Sequence, residues 1–187
     1  MVLNLPTLLT WTRVLAIPLL VAVFYLPLSV PAQNLVATAL FVAAAITDWL
    51  DGWLARRWGQ TSAFGAFLDP VADKLIVCVA LVMLVSLGRV DAIVAAIIVG
   101  RELTISALRE WMAQIGARTS VAVHSIGKFK TIAQLVAIPL LLYDRPLFAV
   151  LDTHRIGTWL IYAAAILTVW SMTYYLRRAW PYLRDSR

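Results

Sequence analysis

The chain has one cysteine, two histidines and little charge: Asp, Glu, Lys and Arg together make up only 14% of its 187 residues. A lone Cys78 excludes a disulfide within the chain and argues against a zinc–thiolate site; set in LIVCVALVML, it reads as a small buried hydrophobe. The opening MVLNLPTLLTWTR has neither a basic stretch before its apolar run nor a small-residue cleavage site, so a removed signal peptide is not expected. No internal repeat and no low-complexity tract appears. The formal charge is +6, yet there is no soluble basic domain or charged tail with which to bind nucleic acid. What the chain has in excess is apolar residues, 62% of the total, with a mean hydropathy of +0.84. That composition places residues 1–187 in one integral membrane domain.

Apolar stretches close to the roughly 20 residues needed to cross a bilayer predict an all-α membrane protein. Its six transmembrane helices fall at 8–27, 34–57, 65–87, 92–112, 123–143 and 156–176. YLPLSVPAQN, with two prolines and a polar pair, separates the first two, and GRVD is the turn before the fourth. Pro70 falls in the opening turns of the third, where a missing N–H costs little. The fourth has only AIVAAIIVG before Arg101 and Glu102, so it must run through them to span. Trp159, Trp170, Tyr174, Tyr175 and Trp180 suit interfacial anchors. Of the 16 basic residues, only Arg89, Arg145 and Arg155 fall on the side away from the termini. The positive-inside rule therefore puts both termini in the cytosol.

Four of the ten acids sit where the bilayer should be, in DWLDGWLARRWGQTSAFGAFLDPVAD at 48–73. Asp48 and Asp51 are three apart and Asp69 and Asp73 four apart, so each pair shares a helix face. Two helices meeting at a polar loop would aim both pairs at one pocket, open to the cytosol at headgroup depth. Ionisable groups within a span are costly and, facing a protein cavity, read as functional. Carboxylate-only ligation suits two hard divalent cations, Mg²⁺ or Mn²⁺, which would offset the four charges and clamp a phosphoryl displacement. Helix capping, with Arg56, Arg57 and Lys74 as counter-ions, accounts for one pair but poorly for four clustered acids. Gly52, Ala55 and Gly65 leave room for close approach, although small residues also serve helix packing. Arg56, four after Gly52, leans over the same face toward a diphosphate, whereas Arg57 points elsewhere and suits a topology anchor.

The string Asp48-x2-Asp51-Gly52-x2-Ala55-Arg56-x8-Gly65-x3-Asp69-x3-Asp73 resembles the full signature of the CDP-alcohol phosphotransferase family, with every position filled. The resemblance implies that family's fold of six transmembrane helices and a homodimer. It also implies a metal-dependent transfer from a CDP-linked donor to an alcohol, with release of CMP. Asp48, Asp51, Asp69 and Asp73 would ligate the metals, with Asp69 and Asp73 catalytic and Asp73 the base; Gly52, Ala55, Arg56 and Gly65 would hold the CDP moiety. NLPTLLTWTR, RELTISALREWMA and SVAVHSIGKFKT extend the resemblance over nearly the whole chain, toward bacterial members that join CDP-diacylglycerol to sn-glycerol 3-phosphate. These act at the cytoplasmic (inner) membrane, among membrane lipid, with the site facing the cytosol.

An acceptor carrying its own phosphate needs cations, and Arg101, Arg109, Arg118, Lys128 and Lys130 are the candidates. Positive-inside topology explains any one of them equally well, and pairing with Glu102 or Glu110 would make Arg101 structural. His124 and His154 read as solvated or hydrogen-bonded. Asn4, Thr7 and Thr10 would support the first helix near the nucleotide. Other acceptors stand as alternatives: inositol phosphate, serine or a second phospholipid. An ion-coupled transporter would need inverted repeats and acids near the midplane.

Overall fold

The computed structural model describes residues 5–58, 63–114, 125–147 and 150–184. They form six helices: α1 (Leu5–Ala22), α2 (Val30–Trp58), α3 (Ala63–Ser86), α4 (Ala92–Gln114), α5 (Ser125–Tyr143) and α6 (Thr153–Arg184), with a 3-10 turn at Val23–Tyr25. A single bridge, Leu147 to Leu151, is the only β pairing among the described residues.

Three helix features differ from the sequence expectation, each for a local reason. α2 starts at Val30 because Pro31 occupies its first turn, where a missing N–H is no loss. Gln33 then reaches back to the carbonyls of Phe24 (3.3 Å) and Leu26 (3.0 Å) and ties the turn down instead of breaking the helix. α3 starts at Ala63, so Pro70 stands inside it and withholds the amide that would bond the carbonyl four residues earlier. α6 continues past residue 176 to Arg184, so the basic run that follows the apolar span is still helical.

α1 packs on α2 and α3, α2 on α5, α4 on α6, and α5 and α6 form the most extensive pair. The α5–α6 pair depends on one missing side chain: a Cβ at Gly157 would lie 2.7 Å from Leu141 Cγ and 3.3 Å from the Ala137 carbonyl oxygen. Leu141 is fully buried and has little room to yield. Gly157→Ala is therefore expected to destabilise the fold by about 1–3 kcal/mol, the usual scale of overpacking, read as a lower thermal midpoint in detergent.

The main apolar core joins Leu20, Phe41, Leu81, Leu84, Ile98 and Ile138. The molecule's exterior is apolar as well: Tyr25, Ile93, Trp159 and Ile166 are all more than two-thirds exposed. Meanwhile Arg13, Arg101, Lys130, Gln134 and Ser171 are buried. Apolar outside and polar within suits a hydrocarbon surround better than water. Val30–Leu50 and Thr153–Tyr174 are long and apolar enough to cross a membrane by themselves.

At the end of the bundle away from the aspartates, Gly88 (φ +69°) closes α3. The amides of Gly88 and Arg89 bond the carbonyls of Val85 (3.0 Å) and Leu84 (2.9 Å), a left-handed cap that glycine makes without strain. The Arg89 guanidinium then ties three elements together. It bonds the Leu141 and Leu142 carbonyls (3.2 and 2.9 Å), Asn34 Oδ1 (2.8 Å) and Asp144 Oδ2 (3.1 Å). Burial draws the Arg89 pKa below its ordinary value, and Asp144 opposes the shift. His154 Nδ1 meets the other oxygen of Asp144 at 2.7 Å.

Candidate active site

Asp48 stands in the C-terminal half of α2, and Asp69 and Asp73 in the N-terminal half of α3. The connection between the two helices is short, so these halves lie at the same end of the bundle. Asp48 and Asp69 are joined by a residue from neither helix. Arg13 of α1, only 1% exposed, bonds Asp48 Oδ1 through one terminal nitrogen and lies 3.5 Å from Asp69 Oδ1 through the other. Thr10, one turn earlier on α1 and also 1% exposed, donates its hydroxyl to the same Asp69 oxygen at 2.6 Å. A planar fork suits this task, because guanidinium can bond two carboxylates at once where an ammonium is a point charge. Both carboxylates keep 43% of their side-chain surface exposed, and the described contacts to Arg13 use one oxygen of each.

Asp73, one turn on from Asp69, lines a cleft with Lys74, Glu102, Lys130 and Gln134. Across it, Glu102 Oε2 accepts from Arg101 (3.0 Å) and from Lys130 Nζ (2.9 Å). Arg101 also reaches Ser171 Oγ of α6 at 3.4 Å. Glu102 of α4 and Lys130 of α5 therefore face the same cleft as Asp73, with Arg101 and Ser171 of α6 bonded behind Glu102. The sequence candidates Asp48, Asp69, Asp73, Arg101 and Lys130 thus fall into two linked clusters. The side chains of Asp51, Gly52, Ala55, Arg56, Gly65, Arg109 and Lys128 lie outside the described residues, although their backbones belong to α2, α3, α4 and α5. Arg118 lies outside the described residues altogether. Arg57 is exposed and stacks over the Trp53 ring, 5.2 Å from its centroid, as suits an anchor outside the pocket.

The model of the family described as CDP-alcohol phosphatidyltransferase matches residues 3–170. The chain belongs to that family. It is 50% identical over 185 residues, 98% of each chain, to a protein of Escherichia coli named "CDP-diacylglycerol--glycerol-3-phosphate 3-phosphatidyltransferase". A Salmonella choleraesuis protein of the same name is 51% identical over the same share of each chain.

CDP-alcohol phosphatidyltransferases generally use divalent metal ions, and the donor chemistry here fits them. The available ligands are hard carboxylate oxygens, and a buried cation already draws Asp48 and Asp69 together. Among the described side chains no three acidic, histidine or cysteine groups converge as a ready-made metal site; Asp51 is not among those side chains.

Sequence reasoning treated Arg13 as a topology charge and Thr10 as support for the first helix. In this CDP-alcohol phosphatidyltransferase both hold a motif aspartate. The available signal was Arg13 itself, a lone charge followed by no other until Asp48.

Proposed function

We propose that this chain transfers the phosphatidyl group of CDP-diacylglycerol to sn-glycerol 3-phosphate, giving phosphatidylglycerophosphate and CMP. Half-identity over 98% of the chain to proteins named for that reaction is the observation that carries the reading. The filled aspartate motif and the two facing clusters are in keeping with it. Asp48, Asp51, Asp69 and Asp73 are the proposed holders of two divalent cations, Mg²⁺ or Mn²⁺. When bound, these supply the charge neutralisation that phosphoryl transfer needs. Gly52, Ala55, Arg56 and Gly65 are the proposed contacts to the CDP moiety.

The chain's own groups then divide the work. Asp73 takes the proton from the primary hydroxyl of the acceptor as that oxygen bonds to the phosphatidyl phosphorus. The bond from this phosphorus to the CMP oxygen breaks, and CMP leaves. Arg101, Arg109, Arg118, Lys128 and Lys130 are the proposed cations for the acceptor's own phosphate. An apolar groove between α2 and α5, lined by Phe41, Ile46, Trp49, Leu135 and Pro139, offers the donor's acyl chains a track. It shares Leu135 with the Asp73 cleft.

The reading includes six membrane spans with both termini and the active site at the cytosolic face of a bacterial inner membrane, and a homodimeric assembly. The test is an acceptor panel: purified chain, CDP-diacylglycerol and Mg²⁺ or Mn²⁺, with sn-glycerol 3-phosphate, inositol phosphate, serine or a second phospholipid. CMP release is expected with sn-glycerol 3-phosphate. Strict preference for an unphosphorylated alcohol would overturn the assignment.

A further inference from the structure

Glu102 belongs to neither the aspartate motif nor the proposed set of acceptor cations, yet it occupies the centre of the second cluster. One of its oxygens, Oε2, accepts from two cations on two different helices, Arg101 of α4 at 3.0 Å and Lys130 of α5 at 2.9 Å. Arg101 is 7% exposed and Lys130 2%, while Glu102 keeps 30% of its side-chain surface open beside the cleft that Asp73 also lines. We infer that Glu102 is a positioning residue for the acceptor: it holds Lys130 and Arg101 in the orientation that receives the acceptor's phosphate and keeps Lys130 off the catalytic Asp73. This rests on the reading of the acceptor as a phosphorylated alcohol.

The physical argument concerns what a long cation does in a cleft with two acids. Lys and Arg side chains are long and rich in rotamers. A phosphate that met them unordered would spend part of its binding energy in arresting them. A charge-assisted bond to one shared carboxylate arrests both in advance. Among the described residues the acids lining the cleft are Glu102 and Asp73. Without the Glu102 charge, Asp73 is the described acid of the cleft toward which Lys130 can turn. A single loss would then disorder the acceptor cations and occupy the base.

A wholly structural Glu102, serving only to staple α4 to α5, would have a different signature: lower stability, with both substrates affected alike. The test compares wild type, Glu102→Gln and Glu102→Asp as full-length protein in detergent–lipid micelles. The measurements are the KM for sn-glycerol 3-phosphate, the KM for CDP-diacylglycerol and the thermal midpoint. Glu102→Gln is expected to raise the acceptor KM about tenfold to a hundredfold, the scale of misplacing a positioning group. The donor KM should stay within about twofold, because no donor contact is touched. Glu102→Asp keeps the charge but is shorter by one methylene, and should fall between the two. If Glu102→Gln does not fold, Glu102→Asp alone decides. An acceptor KM equal to wild type in the folded variants, or equal rises in both KM values, overturns the inference. A wild type that rejects sn-glycerol 3-phosphate overturns the functional reading instead, and the same comparison then runs with whichever phosphorylated alcohol the wild type accepts. If it accepts none, this inference falls as well.

Discussion

Asp73→Asn is expected to lower CMP release by about 10³-fold or more while leaving the thermal midpoint close to wild type. Loss of a general base costs roughly 10²–10⁴-fold, and loss of a carboxylate ligand to a divalent ion adds to it. The fold should survive because Asp73 is exposed to its cleft, while its neighbour Ala72 is the residue buried in the bundle. The asparagine is nearly isosteric but neutral and accepts no proton at working pH. Asp69→Asn should behave similarly, with a small stability loss from weaker contacts to Arg13 and Thr10. The assay is CMP release from purified protein with Mg²⁺ or Mn²⁺, beside a thermal melt of the same preparation. Substantial turnover by Asp73→Asn would remove it from the role of base.

Arg13→Met should cost both activity and stability, in contrast to Asp73→Asn. Removing one member of a fully buried ion pair costs about 3–5 kcal/mol. Here the carboxylates left behind are 43% exposed and regain water, so roughly 1–3 kcal/mol is expected. Transfer should fall by about 100-fold, because Asp48 and Asp69 would no longer be held in a fixed relation. Arg13→Lys separates charge from geometry: it keeps the positive charge but lacks the fork that meets two carboxylates. Its stability should lie nearer wild type than its activity does. A thermal melt and a CMP-release assay on both variants check this, and full activity in Arg13→Lys would show that charge alone suffices.

The two substitutions also mark how far a sequence reading reaches. The aspartate pairs were legible because their order arises locally: spacings of three and four on a helix put side chains on one face before any tertiary contact is known. Arg13 was not legible as a site residue, because its partners Asp48 and Asp69 lie 35 and 56 residues away and only helix packing brings them together. Glu102 was half legible: its proximity to Arg101 was plain, but its bond to Lys130, 28 residues on, arises because α4 and α5 both pack on α6 and two long side chains meet between them. Arg89 read as one of three topology charges, whereas its side chain is spent on the end of α5 and on Asn34. Helix identity followed from apolar runs. Helix ends depended on whether Pro31 and Pro70 would be absorbed, a matter of which turn each occupies.

The position of Arg13 on α1 also bears on how the protein is made. A buried arginine is costly to keep without a counter-ion. α1 carries that charge before Asp48 and Asp69, its counter-ions among the described residues, have been synthesised. Asp48 arrives late in α2 and Asp69 early in α3, so the first helix becomes electrically satisfied only once three helices stand together. Bringing Asp48 and Asp69 together and satisfying the charge on the first helix are therefore one event.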